Sequence, residues 1–210
     1  IVLLDKEGVF WIIQSKDGIY RYDPSQEKTE LIKKLDKDVR DAVLTPYGGI
    51  FIVYRNISSP PIFTFQEGDL LYYDIELGSL SEITPPEEIW PSIYTIAVDS
   101  AGNLWLDSNG WRTPDGEWHL INTYIDKESL ATGIGVDWTT ARHLATSSNG
   151  FVWLYKLPNI GQHTGQAWYD TKSREGCWFT TDFYSLMIED ADQNLWMILD
   201  DKLYKLDLDS

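Results

Sequence analysis

The chain has 210 residues, 43% hydrophobic and 14% aromatic, with 10 Trp and 12 Tyr, which is ample for a packed core and excludes a disordered polymer. Its 17 basic and 33 acidic residues give a net charge of -16, which repels phosphate backbones and anionic membrane surfaces, so no nucleic acid is expected as a partner. No apolar run approaches the roughly 20 residues of a membrane helix, no charged-then-apolar leader stands before Ile1, and Cys177 is the single cysteine; neither direct membrane insertion, a signal segment nor an internal disulfide is expected.

In chain order, the first 35 residues read as four short strands: A "IVLLD" (1–5), B "VFWIIQS" (9–15), C "GIYRYD" (18–23) and D "TELIKKL" (29–35), joined by turns at "KEG", "KDG" and "PSQEK". Strand B then recurs. Aligned on one aromatic residue, "DKEGVFW" (5–11), "TPYGGIF" (45–51), "DSAGNLW" (99–105), "SSNGFVW" (147–153) and "DADQNLW" (190–196) match without a gap. The anchors Trp11, Phe51, Trp105, Trp153 and Trp196 lie 40, 54, 48 and 43 residues apart. A strand C follows most of them, as "IYRYD" (19–23), "LLYYD" (70–74), "AWYD" (167–170) and "LYKLD" (203–207). Helical periodicity is nowhere sustained.

A four-stranded meander cannot bury both faces alone, and a period of roughly 40–45 residues is that of a propeller blade, whose sheets pack radially on one another. The expected fold is an all-β propeller with blades at about 1–35, 36–86, 87–124, 125–182 and 183–210. In the first repeat strand D starts 18 residues after the anchor, but only 14 residues follow Trp196, so the last blade is expected to lack its outer strand. That predicts part of a larger propeller, or one completed by another chain.

The Asp-x-x-Gly-x-x-Trp pattern together with "DGIYRYD" resembles the two-component regulator propeller repeat of ligand-sensing propellers, best in "IYTIAVDSAGNLWLDSNG" and "SLMIEDADQNLWMILDDKLYKLD". The resemblance weakens in the second repeat, where Thr45 and Phe51 replace Asp and Trp. It implies a non-catalytic sensing or binding propeller in a periplasmic, extracellular or cell-surface setting; fold alone does not assign function.

In such a propeller the A-to-B turns bearing Asp5, Asp99 and Asp190 share the bottom face. These carboxylates are expected to accept turn amides rather than catalyse, with Gly8, Gly48, Gly102 and Gly150 supplying positive φ. Asp190-x-Asp192-x-Asn194 with Asp201 twelfth mimics a calcium loop, but Leu195 stands where glycine is needed and the repeat requires an extended strand there. No metal or cofactor is expected.

The opposite face receives the long connections 55–69, 124–140 and 156–166, and "PPEEIWP" (85–91). They carry Phe63, Phe65, Trp90, Trp138 and His163 toward one rim, beside Arg40, Tyr94, Arg142, His143 and Tyr184 at the tops of strands A. Aromatic rings with a few polar groups suit a glycan, a peptide or a small molecule. His143 and His163 with a carboxylate are the alternative, a lyase or hydrolase like the virginiamycin-lyase propellers that the repeat also resembles; a purely structural scaffold is the third reading. His119 and Cys177 are expected on outer strands, and Asn56-Ile57-Ser58 is a glycosylation sequon.

Overall fold

The structure, a computed structural model, describes residues 1–54, 70–87, 89, 93, 95–106, 110–120, 141–146, 151–156, 165–170, 175–180, 187–190, 194–199 and 202–206; beyond residue 120, side chains are described at 190, 194, 196 and 202–205. Every described element is a strand, as the short β-branched and aromatic runs between turn residues require.

The strands form five antiparallel sheets in which chain neighbours pair. The first holds β1 (Val2–Leu4), β2 (Phe10–Gln14), β3 (Gly18–Asp23) and β4 (Lys28–Lys34). The second holds β5 (Val39–Leu44), β6 (Gly49–Tyr54), β7 (Leu70–Asp74) and β8 (Ser79–Glu82). The third holds β9 (Ile96–Val98), β10 (Leu104–Leu106), β11 (Gly110–Arg112) and β12 (Trp118–Leu120). The fourth holds β13 (Ala141–Thr146), β14 (Phe151–Lys156), β15 (Gly165–Asp170) and β16 (Glu175–Thr180). The fifth has three strands among the described residues, β17 (Met187–Glu189), β18 (Leu195–Leu199) and β19 (Lys202–Leu206). Residues 195–199 are extended and pair with both neighbours, so the strand, not the calcium-like loop, is what this segment forms.

The chain divides into two compact halves, Ile1–Val98 and Asp99–Ser210. In the first, sheets one and two enclose a core of Val9, Trp11, Ile13, Ile19, Leu35, Ala42, Ile50, Ile52, Tyr54, Leu71 and Tyr73. Burying these side chains, at about 1.5–3 kcal/mol each, is the main force holding the two sheets together. Trp11 sits inside it with its ring 6.4 Å from that of Tyr73, so the anchor packs between sheets. All of β6 is buried, because both its faces are covered, whereas β4 and β8 are partly exposed. Polar links join the sheets at their edges: Val39 N–H donates to Ser15 Oγ at 2.9 Å, and Lys16 pairs with Asp38 at 2.9 Å.

In the second half Leu104, Trp105 and Leu106 of β10 are fully buried. Trp105 stacks on Trp111 (centroids 5.1 Å apart) and Trp111 on His119 (4.1 Å), a ladder of rings crossing β10, β11 and β12. His119 lies on the outer strand as expected. Here it extends an aromatic stack, with Glu117 4.0 Å from its Nε2.

The close spacing of β3 and β4 makes a direct test. A Cβ on Gly18 would lie 2.5 Å from the Lys33 carbonyl oxygen, an atom fixed by the ladder. We expect Gly18→Ala to cost about 1–3 kcal/mol through overpacking, read as a lower urea midpoint; an unchanged midpoint would contradict this strand spacing.

Candidate functional site

The repeated motif folds into one device. Asp5 Oδ1 accepts the amides of Glu7 and Val9, both at 2.9 Å, and its Oδ2 accepts the Trp11 indole N–H at 2.9 Å. Asp99 repeats the arrangement: Oδ1 takes the amides of Ala101 (3.0 Å) and Asn103 (2.9 Å), and Oδ2 takes Asn103 Nδ2 and Trp105 Nε1, both at 2.8 Å. Asp190 accepts the Asn194 amide at 2.9 Å and the Trp196 indole at 2.7 Å. Each turn also closes a backbone pair from first to fifth residue, as Asp5 N to Val9 O (3.0 Å), Asp99 N to Asn103 O (3.0 Å) and Asp190 N to Asn194 O (3.0 Å).

Gly8, Gly48 and Gly102 occupy the left-handed region at φ 83, 88 and 87°, which is why glycine stands fourth in the motif; Gly150 lies outside the described residues. In the second repeat Thr45 Oγ1 accepts the Gly49 amide at 2.8 Å, serving the turn as Asp does. The Phe51 ring carries no N–H, so no second side-chain acceptor is needed. With their oxygens satisfied by turn and indole, these carboxylates serve architecture. The Asp-to-indole bond itself was not foreseen, because spacing shows which residues share a strand end but not which ring atom faces inward.

Charge follows from these bonds. Burial alone would push the Asp5 carboxyl up, but the Trp11 indole, the Val9 and Glu7 amides and the nearby Arg21 outweigh it and hold the group below its ordinary 3.8.

The other end of the sheets differs. On β5 the register passes from Val39↔Tyr54 to Asp41↔Val53, leaving Arg40 as the extra residue of a β-bulge. On β13 it passes from Ala141↔Lys156 to His143↔Tyr155, leaving Arg142 in the same place. Both bulges stand beside a long insertion, since 55–69 leaves directly after Tyr54 and 157–164 directly after Lys156. A bulge turns a side chain out of the ladder and is common beside binding sites.

Asp41, next to Arg40, was missed by the sequence reading. Its Oδ2 accepts Thr95 Oγ1 at 2.7 Å and the Ile96 amide at 2.9 Å, joining the first strands of sheets two and three. The partners lie 54 and 55 residues away, so no local pattern signals them. Of the other expected site residues, the backbone of His143 is placed on β13, while Trp90, Tyr94, Trp138, His163 and Tyr184 lie outside the described residues.

No family model matches the chain, and no curated protein matches it. Solved structures do. PorZ, a bacterial surface component of the type-IX secretion system of Porphyromonas gingivalis, aligns with a TM-score of 0.60 at 15% identity over 97% of this chain and 31% of its own. YCF48 bound to D1 peptide aligns at 0.56 and 14% identity over 100% of this chain and 64% of its own. The extracellular domain of a hybrid two-component system from B. thetaiotaomicron aligns at 0.47 and 17%, over 93% and 32%. The chain thus spans about a third of the length of two of these proteins and less than two thirds of the other. The fold is a β-propeller built of four-stranded antiparallel blades.

Two measurements probe the motif. Asp99→Asn turns an amide toward the Trp105 and Asn103 donors inside the core, and should cost about 2–3 kcal/mol, the scale of a charge-assisted hydrogen bond. With Trp105→Phe added, the two losses should fall short of their sum by at least about 1 kcal/mol; strict additivity in urea melts would mean the bond contributes nothing. For Asp5, the lowered folded value means its contribution is present above about pH 4 and is lost as the pH falls through the folded value. Asp5→Asn should therefore flatten the decline of stability between about pH 4 and pH 2, and an unchanged slope would show that the group titrates alike folded and unfolded.

Proposed function

We propose that the chain is a non-catalytic binding propeller, displayed in the periplasm or at the cell surface, that recognises a peptide, glycan or small molecule at the face bearing its long loops. One observation carries the reading: in sheets two and four the bulged Arg40 and Arg142 stand at the end from which the long insertions leave. Arginine carries a planar fork of donors that suits a carboxylate, a sugar hydroxyl or a peptide carbonyl.

The connections are rich in aromatic residues, with Phe63 and Phe65 in 55–69 and Trp138 three residues before β13. Rings stacked against an apolar ligand face and a few polar groups fixing its orientation make up a usual small-ligand site. The motif carboxylates, by contrast, are occupied at the opposite sheet ends. A propeller of the same fold is described with a bound peptide, and another as a bacterial surface component; these likenesses favour ligand recognition and an exported setting for this chain.

Peptide and glycan arrays probed with the labelled protein should give saturable hits. Arg40→Ala or Trp138→Ala should then weaken the best hit by roughly tenfold or more, the scale of an interface hot spot, while the melting temperature stays nearly constant. A large fall in melting temperature without selective loss of binding would make these residues structural. Conversion of a hit into product would replace binding by catalysis and bring His143 and His163 forward.

A further inference from the structure

We propose that Ser15 and Asp41 are positioning residues of the loop-bearing face: they lock the β5 bulge from both sides, so that Arg40 meets its ligand in one fixed backbone conformation. The inference rests on that face being the recognising one, and it names the groups that prepare it.

A bulge disrupts its ladder locally. It presents a side chain reproducibly where groups outside the ladder hold it. Both chain neighbours of Arg40 are held in this way. On one side a single hydroxyl takes both backbone groups of Val39: the Val39 N–H donates to Ser15 Oγ at 2.9 Å, and the Ser15 hydroxyl donates to the Val39 carbonyl at 3.2 Å. On the other, Asp41 Oδ2 accepts Thr95 Oγ1 at 2.7 Å and the Ile96 amide at 2.9 Å, while Oδ1 accepts the Ala42 amide at 2.9 Å. The residue before Arg40 is thus fastened to the turn between β2 and β3, and the residue after it to the start of β9.

The turn that supplies Ser15 is itself tied to the segment leading into Arg40. The Lys16 N–H donates to the Lys37 carbonyl at 3.0 Å, the Leu35 N–H to the Asp17 carbonyl at 3.1 Å, and Lys16 Nζ pairs with Asp38 at 2.9 Å. Lys16 stands at φ 58°, a left-handed conformation that residues other than glycine rarely adopt and that persists where the surroundings over-determine it. Lys37 adds a contact from the same segment, its ammonium 5.1 Å from the centre of the ring of Tyr54, the β6 residue opposite Val39. A recognition group whose backbone is already ordered loses less freedom on binding, which is the advantage of preorganisation.

The variants that separate positioning from core support are mild ones. Ser15 is exposed, so removing its hydroxyl leaves the core alone. Thr95→Val keeps the shape of the side chain and removes only the group that Asp41 holds.

The test reads Arg40 directly, without a ligand. Protein made with nitrogen-15-labelled arginine carries six labelled backbone amides, those of Arg21, Arg40, Arg55, Arg112, Arg142 and Arg174. The Arg40 cross-peak is the one lost in Arg40→Lys. In the parent protein it should be single and as sharp as that of Arg21. Ser15→Ala and Thr95→Val should each broaden or split it through exchange on the microsecond-to-millisecond scale. Both should leave Arg21 and Arg112 unchanged and lower the melting temperature by no more than about 2–4 °C. Ser15→Thr and Thr95→Ser, which keep the hydroxyl, should leave the Arg40 peak sharp. A peak already broad in the parent overturns the proposal, and so does one that neither variant alters. Broadening of Arg21 and Arg112 alike, with a large fall in melting temperature, would make these bonds general supports of the fold and overturns it too. On array peptides that Arg40→Ala weakens, Ser15→Ala should weaken binding about threefold, with no further loss once Arg40 is alanine; equal loss in both backgrounds also overturns it. Blank arrays would remove the recognition reading alone, because the amide signals are read without any peptide.

Discussion

The hydrogen bond from a tryptophan indole to a turn aspartate sets the form of every sheet that has it. A carboxylate at the end of one strand gathers the amides of the turn that follows and then holds the ring of a tryptophan near the start of the next strand. The ring is thereby fixed in the direction of the neighbouring sheet, where in the first half it joins Ile13, Ile19 and Tyr73 in the core. Buried indole nitrogens need an acceptor, and an acceptor supplied by the preceding turn arrives with the repeat itself. Trp111 shows the other situation: outside the motif, its indole nitrogen is buried with no hydrogen-bond partner among the described residues.

Much of this was legible in the amino-acid order. Period-two apolar runs and Gly, Asp and Asn at turns locate β1 to β4 within a residue or two, since both signals depend only on near neighbours. The ring of fully satisfied carboxylate oxygens around Asp99 was half legible, the amides through the turn pattern and the indole not at all. The bulges at Arg40 and Arg142 were invisible, because a bulge exists only relative to a partner strand and its residue count. Asp41 gave no signal in the sequence, although its bonds to Thr95 and Ile96 tie neighbouring sheets. The register of the outer strands was likewise hidden in sequence, although the aspartate closing the third strand pairs with the residue five places on in three sheets, Asp23↔Lys28, Asp74↔Ser79 and Asp170↔Glu175.

Each sheet therefore has two unlike ends. At one, the turn keeps the same glycine conformation in sheets one to three and the same aspartate acceptor in sheets one, three and five, leaving little room for variation. At the other, connections range from the two residues after Leu199 to the twenty after Leu120. A rigid end and a variable end on one element let loops differ without disturbing the packing that positions them, which is how many folds separate stability from recognition.

The paired replacement of Asp by Thr and Trp by Phe in the second repeat bears on how such repeats diverge. Were the aspartate of a complete motif replaced first, a wholly enclosed indole nitrogen such as that of Trp105 would lose its acceptor, and the intermediate would carry that penalty until the ring changed too. Were the ring replaced first, the carboxylate would keep its turn amides. The two substitutions are therefore not interchangeable in time, and a lineage leaving the consensus has a lower-cost passage through Asp with Phe than through Thr with Trp. Repeats that have lost only the ring should outnumber those that have lost only the acid.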